Sequence, residues 1–157
     1  MRIELISASA RQPAWVVSGF DAYAKRLRGS CTMALTEIPL ARRGKTTALS
    51  QALEQEGRRM LAAVPKGARV VALEQSGRGF TTAELARRLE LWIASGRPLA
   101  LLIGGPDGLA PACLERADEN WSLSPLTLPH GLARIVVAEA LYRAWSVLEG
   151  HPYHRRD

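Results

Sequence analysis

The chain has 157 residues, a formal net charge of +6 and a sequence pI near 10.0. This length is typical of one domain, and 47% hydrophobic residues suffice for one continuous core, so we expect a single domain over residues 1–157. No uncharged apolar run approaches the roughly 18 to 20 residues that span a bilayer, and charges interrupt the start of the chain, so neither a transmembrane helix nor a signal peptide is expected.

Arginine carries most of the positive charge. Lysine occurs only at Lys25, Lys45 and Lys66, so arginine supplies the rest of the 21 basic residues. The planar guanidinium suits phosphates and base edges, and each neutralised phosphate releases bound counterions. The charge therefore favours a polyanionic partner such as RNA, although a composition bias toward Ala and Arg accounts for it equally well.

Cysteine usage indicates the compartment. The two cysteines, Cys31 and Cys113, lie far apart and neither has a C-x-x-C partner. Neither a zinc site nor a disulfide framework is indicated, so no metal is expected. A reducing, cytoplasmic location fits best.

The first half of the chain predicts strands and helices in alternation. Ile3 and Leu5 alternate with polar residues, as in a half-buried strand. The other predicted elements, in chain order, are an amphipathic helix over residues 15–27 stopped by Gly29, a strand over residues 32–39, a basic loop over residues 42–45, and a helix carrying Leu49, Leu53, Met60, Leu61 and Val64. The basic loop is suited to phosphate, but a solvated turn is the commoner outcome.

The second half continues the alternation, which predicts an α/β fold with a mostly parallel sheet. Residues 99–103 are wholly apolar, as in a central strand covered on both faces. The other predicted elements are a strand over residues 69–73, a loop over 74–79, a helix that starts at the capping box Thr81–Glu84 and buries Leu85, Leu89, Trp92 and Ile93, a short helix from Pro111, a strand over 121–123, a loop over 124–130, and a helix over about 132–149 that buries Ile135, Val136, Tyr142, Trp145 and Leu148 before Gly150.

Three loops leave the carboxyl ends of predicted strands, after Leu73, Ile103 and Leu123. Ligands usually bind at that edge of an open α/β sheet, so one ligand there would touch all three loops. The loop Gly104-Gly105-Pro106-Asp107-Gly108 allows the backbone to approach a ligand closely, because glycine has no Cβ. It is neither a dinucleotide fingerprint nor a Walker loop, and a plain tight turn is the competing interpretation.

Residues 121–130 and the terminus are the other two candidate segments. The first is apolar, proline-bearing and irregular, so its free backbone groups are able to hold an adenine; the competing interpretation is a buried connection that only packs. Residues 151–156 combine an aromatic ring, two imidazoles and two guanidiniums, which suits stacking on a base and binding phosphates. A frayed tail is the default for any terminus.

Four motifs now make a specific pattern, in this order: residues 101–109 (LLIGGPDGL), 126–130 (LTLPH), 138–144 (AEALYRA) and 151–155 (HPYHR). Together they resemble the RlmH-type large-subunit ribosomal RNA pseudouridine N3-methyltransferases of the SPOUT superfamily. The likeness also includes the helix of Trp15, Glu37-Ile38-Pro39 and Glu56-Gly57, so it spans essentially the whole chain.

The resemblance implies a SPOUT fold with a C-terminal trefoil knot and a homodimer whose active sites are each completed by the partner's C-terminal tail. It implies S-adenosyl-L-methionine as cofactor and a pseudouridine of 23S ribosomal RNA in the ribosome as substrate. The residues expected to hold the cofactor, with Gly105 added from the glycine loop, are Leu73, Gly104, Gly105, Leu123, Ser124, Pro125, Leu126, Thr127 and Leu128.

Methyl transfer from a sulfonium requires that N3 be aligned with the methyl carbon and lose its proton. His154 is the first candidate for the base, because an imidazole exchanges protons near neutral pH, and Glu139 is its rival. Arg155 or Arg143 is expected to stabilise negative charge on the base carbonyls, and Tyr153 to stack on or position the base. Because Glu139 and Arg143 lie four residues apart on a predicted helix, a plain ion pair between them is indicated equally well.

Other functions remain open at this point. The same fold is able to serve another RNA target, since the knot fixes the cofactor and not the nucleophile. A noncatalytic ribosome-binding or assembly factor is the alternative from a different class, and free RNA, the large subunit or the whole ribosome are all open as substrate. Nucleotide hydrolysis is disfavoured because the chain has no P-loop lysine.

Overall fold

The computed structural model describes residues 1–46 and 48–155. Within these ranges five strands form one sheet in the order β2-β1-β4-β3-β5, and every neighbouring pair is parallel. The strands are β1 Arg2–Ala8, β2 Thr32–Ile38, β3 Arg69–Gly79, β4 Leu99–Ile103 and β5 Glu119–Ser122. The helices are α1 Ala14–Ala24, α2 Leu49–Ala63, α3 Thr82–Ala94, α4 Pro111–Arg116 and α5 His130–Leu148, followed by a 3-10 turn at Pro152–Arg155.

Helices cover both faces of the sheet. One apolar core joins Ile3 and Leu5 of β1 to residues of α1, α3 and α5, and the other joins Ile6 and Ala8 of β1 to residues of α2 and α4. All five residues of β4 are buried, because this strand lies at the centre of the sheet. The predicted α/β class and the central position of the apolar strand are confirmed, and the sheet is parallel throughout the described chain.

The capping box at the start of α3 is present as predicted. The Thr81 hydroxyl accepts a hydrogen bond from the Glu84 backbone nitrogen at 3.2 Å, and the Glu84 carboxylate accepts one from the Thr81 nitrogen at 2.8 Å. The backbone bond from Thr81, more than any other contact, lowers the pKa of Glu84. Of the residues expected to be buried by α3, Ile93 is only half-buried.

The prediction of a loop over residues 74–79 is wrong in part, because β3 runs on to Gly79. Leu73 and Arg78 both lie opposite Trp121 of β5, so the residues between them bulge out and the strand then resumes. Gly77 permits this arrangement, since a Cβ there would lie 2.8 Å from the backbone of β5. The bulge interrupts the pairing of β3 with β5 between Leu73 and Arg78.

Helix α5 differs most from expectation. It begins at His130, two residues early, and of the five side chains expected to be buried only Tyr142 is fully so. Instead α5 is buried on several sides, through Gly131, Ala133, Arg134, Val137, Ala138, Leu141, Ala144 and Ser146. A helix enclosed by α1, α3 and the sheet has no single apolar stripe from which burial can be predicted. Gly150, with a φ of 65°, follows its end as predicted.

Two apolar residues that helped to predict helices face solvent. Trp15 of α1 is 60% exposed and Leu49 of α2 is 50% exposed. Both occupy the first turn of their helix, where the chain has only begun to turn onto the sheet. Helix α1 also ends at Ala24, several residues before Gly29.

Three features of the described chain bear on partners. No helix in it is long and apolar enough to cross a membrane. Among the same residues no group of three or more His, Cys, Asp and Glu side chains is placed to hold a metal ion. Cys31 and Cys113 are both buried and carry free thiols, and burial raises the pKa of the Cys31 thiol to about 11.

Candidate functional site

A cleft of about 470 Å³ lies at the carboxyl ends of β3, β4 and β5. Its walls come from the three predicted segments, and its lining residues are Leu73, Glu74, Gln75, Ile103, Gly104, Gly105, Pro106, Gly108, Leu109, Trp121, Ser122, Leu123, Ser124, Leu126, Thr127, Leu128, Pro129, His130 and Ala133. The volume falls in the range of pockets that hold small-molecule cofactors. The structure thus brings the three loops together, as the position of their strands predicted.

The glycine loop folds back on itself to form one wall of the cleft. The Gly108 nitrogen donates a hydrogen bond to the Gly105 oxygen at 3.0 Å, and Gly108 has a φ of 82°, which favours glycine. A Cβ on Gly104 would lie 2.3 Å from the Gly108 carbonyl carbon and 2.5 Å from the Leu109 nitrogen. The close approach of these backbone segments therefore depends on Gly104.

The irregular segment after β5 is held by its own polar side chains. The Ser124 hydroxyl accepts a hydrogen bond from the Leu126 nitrogen at 2.9 Å, and the Ser122 hydroxyl donates to the Ser124 oxygen at 3.2 Å. Across the cleft, the Gln75 amide donates to the Thr127 hydroxyl at 2.6 Å. The last contact ties the bulge of β3 to the opposite wall.

Eight of the nine residues expected at the cofactor line this cleft; the exception is Pro125, which is exposed. Pro125 lies at the outer turn of its segment, between Ser124 and Leu126, which both reach the wall. Glu74 and Gln75 also line the cleft. They belong to the loop after Leu73, which was expected to touch the ligand, but neither residue was singled out as a cofactor residue.

His130 is a further lining residue that was not predicted as a site residue. Its ring lies at the start of α5, where Nε2 is 3.3 Å from the Gln12 amide nitrogen, which also donates to the Ala10 oxygen at 2.9 Å. Because that amide nitrogen is a donor, Nε2 accepts and the ring proton lies on Nδ1. Burial, and then the positive charge of Arg134, lowers the pKa of His130, which favours the neutral form of the ring. The last helix was predicted to start at about residue 132, so the sequence did not indicate that His130 begins the helix beside the cleft.

Glu139, Arg143 and Tyr153 form one cluster. Arg143 donates to Glu139 Oε1 from Nε at 2.9 Å and from Nη2 at 2.7 Å, and the Tyr153 hydroxyl donates to the same oxygen at 3.0 Å. The guanidinium carbon lies 5.0 Å from the centre of the Tyr153 ring. Burial, with hydrogen bonds to Tyr23 and Glu139, raises the pKa of Tyr153, so it remains a hydroxyl donor. The helical ion pair indicated by sequence spacing is confirmed.

His154 and Arg155 follow on the terminal 3-10 turn. His154 is half-buried, and its Nδ1 lies 2.7 Å from the His151 oxygen. A carbonyl only accepts, so Nδ1 carries the proton and Nε2 is the basic nitrogen of the ring. Arg155 is exposed, and Arg156, which the sequence also singled out, lies outside the described residues.

None of the five residues expected to be catalytic lines the cleft. Glu139 and Arg143 instead line a separate cavity of about 130 Å³, which shares Trp121 and Leu123 with the main cleft. The terminal turn packs on α5, and none of its residues lines the cleft. Within one copy of the chain, the expected cofactor residues and two of the expected catalytic residues therefore line two adjacent cavities that share Leu123.

Comparisons with known proteins agree with this geometry. The family model described as "Predicted SPOUT methyltransferase" matches residues 1–154. A protein of Thioalkalivibrio sulfidiphilus named ribosomal RNA large subunit methyltransferase H is 57% identical over 155 residues, and one of Alkalilimnicola ehrlichii with the same name is 56% identical over 155 residues. Each alignment covers 99% of both chains.

Solved structures show the same fold at much lower identity. A probable rRNA-methyltransferase of Porphyromonas gingivalis is similar with a TM-score of 0.55 and 15% identity, over 94% of this chain and 69% of that one. A methylase family protein of Neisseria gonorrhoeae has a TM-score of 0.52 and 15% identity, over 89% and 81% of the two chains. A methyltransferase of Legionella pneumophila, solved with bound SAM, has a TM-score of 0.50 and 12% identity, over 92% and 66%.

Proposed function

Because this chain belongs to the SPOUT methyltransferase family, we propose that it transfers a methyl group from S-adenosylmethionine to N3 of a pseudouridine in 23S ribosomal RNA. The observation that carries this proposal is the cleft at the carboxyl edge of the sheet, which gathers eight of the nine expected cofactor residues. The names of the two relatives, at 57% and 56% identity, support ribosomal RNA of the large subunit as the substrate.

The cleft residues fit S-adenosylmethionine. Leu73, Leu123 and Leu128 supply apolar walls for an adenine, and the irregular segment supplies backbone groups for its polar edge. At Gly104 and Gly105 no side chain stands between the ligand and the loop backbone. Bound S-adenosylmethionine would supply an electrophilic methyl carbon for in-line transfer to N3, with S-adenosylhomocysteine as the leaving group.

His154 removes the N3 proton in this proposal. The hydrogen bond from Nδ1 to the His151 oxygen leaves Nε2 as the proton acceptor. Glu139 is assigned a different role, because one of its oxygens already receives hydrogen bonds from Arg143 and Tyr153. It orients these two side chains, Arg143 with Arg155 stabilises negative charge on the base carbonyls, and Tyr153 positions the base.

The enzyme works as a homodimer, in which the tail of one copy completes the cleft of the other. This is supported by the position of the tail within one copy, since His154, Tyr153 and Arg155 do not line the cleft of the chain that carries them. We propose further that residues 1–157 act as a single cytoplasmic domain whose C-terminal segment is threaded as a trefoil knot. The net charge of +6 favours association with the polyanionic ribosome.

The test is methyl transfer to ribosomes from a strain that lacks this gene. Tritiated S-adenosylmethionine and purified protein are added, and the rRNA is digested and mapped by mass spectrometry. We expect one added methyl group, on N3 of a pseudouridine of 23S RNA. Ribosome association without label supports the noncatalytic binding factor instead, and label on another RNA supports a different target in the same fold.

A further inference from the structure

One arginine of the basic loop connects that loop to the wall of the cleft. Arg43 donates from Nε to Asp107 Oδ2 at 2.7 Å, and Asp107 lies within the glycine loop. The same guanidinium donates from Nη1 to Glu56 Oε1 at 2.5 Å and from Nη2 to Glu56 Oε2 at 3.3 Å. A further bond from Nη1 reaches the Ala41 oxygen at 2.9 Å. All three guanidinium nitrogens are therefore engaged by two carboxylates and one carbonyl.

Asp107 faces away from the cleft, although its neighbours form the cleft wall. Gly104, Gly105, Pro106 and Gly108 line the cleft, whereas Asp107 does not. Its carboxylate instead points to Arg43, which lies on the outer side of the loop. The ion pair of Arg43 with Asp107 therefore affects a bound ligand through the position of the glycine-loop backbone and not by direct contact.

Glu56, which binds Arg43, is itself held in a fixed position. It lies on α2, is 2% exposed and also accepts a hydrogen bond from the Ala41 nitrogen at 3.0 Å. Met60 and Ala52 of the same helix are buried in the core beneath it. Because α2 is packed in the core, Glu56 has a fixed position. Its hydrogen bonds hold the Arg43 guanidinium in place, and that guanidinium in turn holds Asp107.

We propose that Arg43 is a positioning residue for the methyl donor, since it holds the Gly104–Gly108 loop in its binding conformation by linking Asp107 to the buried Glu56. This inference rests on the proposed function, because it takes the cleft to be the donor site. The planar guanidinium of Arg43 offers Nε to Asp107 and its two terminal nitrogens to Glu56, whereas a lysine ammonium would have to place one nitrogen close to both carboxylates. Within the basic loop, Arg43 is the residue that pairs with both Glu56 and Asp107.

The experiment compares Arg43→Lys and Asp107→Asn with Arg58→Ala as a matched control. Arg58 lies on the same helix as Glu56, and among the described residues it forms an ion pair with the exposed Glu54 alone. Arg43→Lys retains a positive charge beside the buried Glu56, and Asp107→Asn leaves the pair of Arg43 with Glu56 intact, so at least one of the two variants should fold like the wild type. Binding of S-adenosylmethionine and of S-adenosylhomocysteine is measured by calorimetry, and KM and kcat are measured with ribosomes.

Both site variants should weaken binding of either ligand about tenfold, whereas Arg58→Ala stays within about twofold of the wild type. The KM for the donor should rise by the same factor with kcat nearly unchanged at saturating donor, a division that a general loss of stability would not produce. The double variant should bind no more weakly than either single variant, because both remove one interaction.

Wild-type affinity in folded Arg43→Lys and Asp107→Asn would overturn the inference while leaving the proposed function in place. Additive losses in the double variant would overturn it as well. Failure of the wild-type protein to bind either ligand would instead contradict the proposed function itself.

Discussion

Replacing Gly104 with alanine perturbs the cleft wall without changing any charge. The added Cβ would lie 2.3 Å from the Gly108 carbonyl carbon and 2.5 Å from its oxygen. Ordinary contacts begin at 3.4 Å, so the two strands of the loop have to separate by about 1 Å, and the atoms involved are backbone atoms that cannot rotate away. Overpacking of this kind costs about 1–3 kcal/mol.

A cleft wall displaced by about 1 Å should reduce methyl transfer about 100-fold, which is the usual effect of such a misplacement. Calorimetry with S-adenosylhomocysteine should show weaker binding, and thermal unfolding should begin several degrees lower. Gly79→Ala is the control, since nothing lies within 4 Å of a Cβ there and its φ is not positive. If Gly104→Ala bound the ligand as tightly as Gly79→Ala does, the glycine loop would not be a wall of the donor site.

Three further results are expected. His154→Ala should abolish methyl transfer to ribosomes while calorimetry finds donor binding unchanged; lost binding would contradict this division of labour. Mixing inactive Gly104→Ala with inactive His154→Ala should restore activity to at most about a quarter of that of the wild type, because only mixed dimers hold one intact site; no recovery after subunit exchange would argue against a shared site. The His130 ring should titrate below 6.5 by NMR, and because the unfolded chain then binds more protons, the unfolding free energy should fall as the pH is lowered through 6.5, less so in His130→Gln; an ordinary titration midpoint would refute this.

Local sequence signals predicted the elements that depend on local physics. The capping box at Thr81 and the apolar run of residues 99–103 are both present where expected, because each is determined by neighbours in sequence or by burial on two faces. The edge of the sheet where the loops meet followed from the carboxyl ends of the predicted strands alone. The position of the cleft and eight of its expected lining residues were therefore predicted correctly.

What the sequence missed depends on contacts between distant residues. The continuation of β3 to Gly79 requires β5 to lie beside it, and Arg134 is fully buried because Glu37, Ser7 and Ser9 meet it there. A buried arginine looks like a surface residue in sequence, so the burial pattern of α5 was predicted poorly. The trefoil knot stays a prediction of the family resemblance, since strand order does not define which loop is threaded.

The glycine loop, residues 104–108, contains one feature that the sequence predicted and one that it did not. Its glycines indicated a close backbone approach, and the turn between Gly105 and Gly108 forms as such a sequence predicts. The partner of Asp107 was not predictable, because Arg43 lies more than 60 residues earlier in the chain. Arg43 had been assigned to a basic loop suited to phosphate, and its pairing with Asp107 and Glu56 changes that interpretation for this one residue.

A crystal structure of the protein with S-adenosylhomocysteine tests the central claim most directly. We expect the ligand in the cleft, against Gly104 and the segment from Leu123 to Leu128, with Tyr153 and His154 of the partner subunit reaching its open side. A ligand bound elsewhere, or a cleft closed by its own side chains at saturating ligand, would contradict the account.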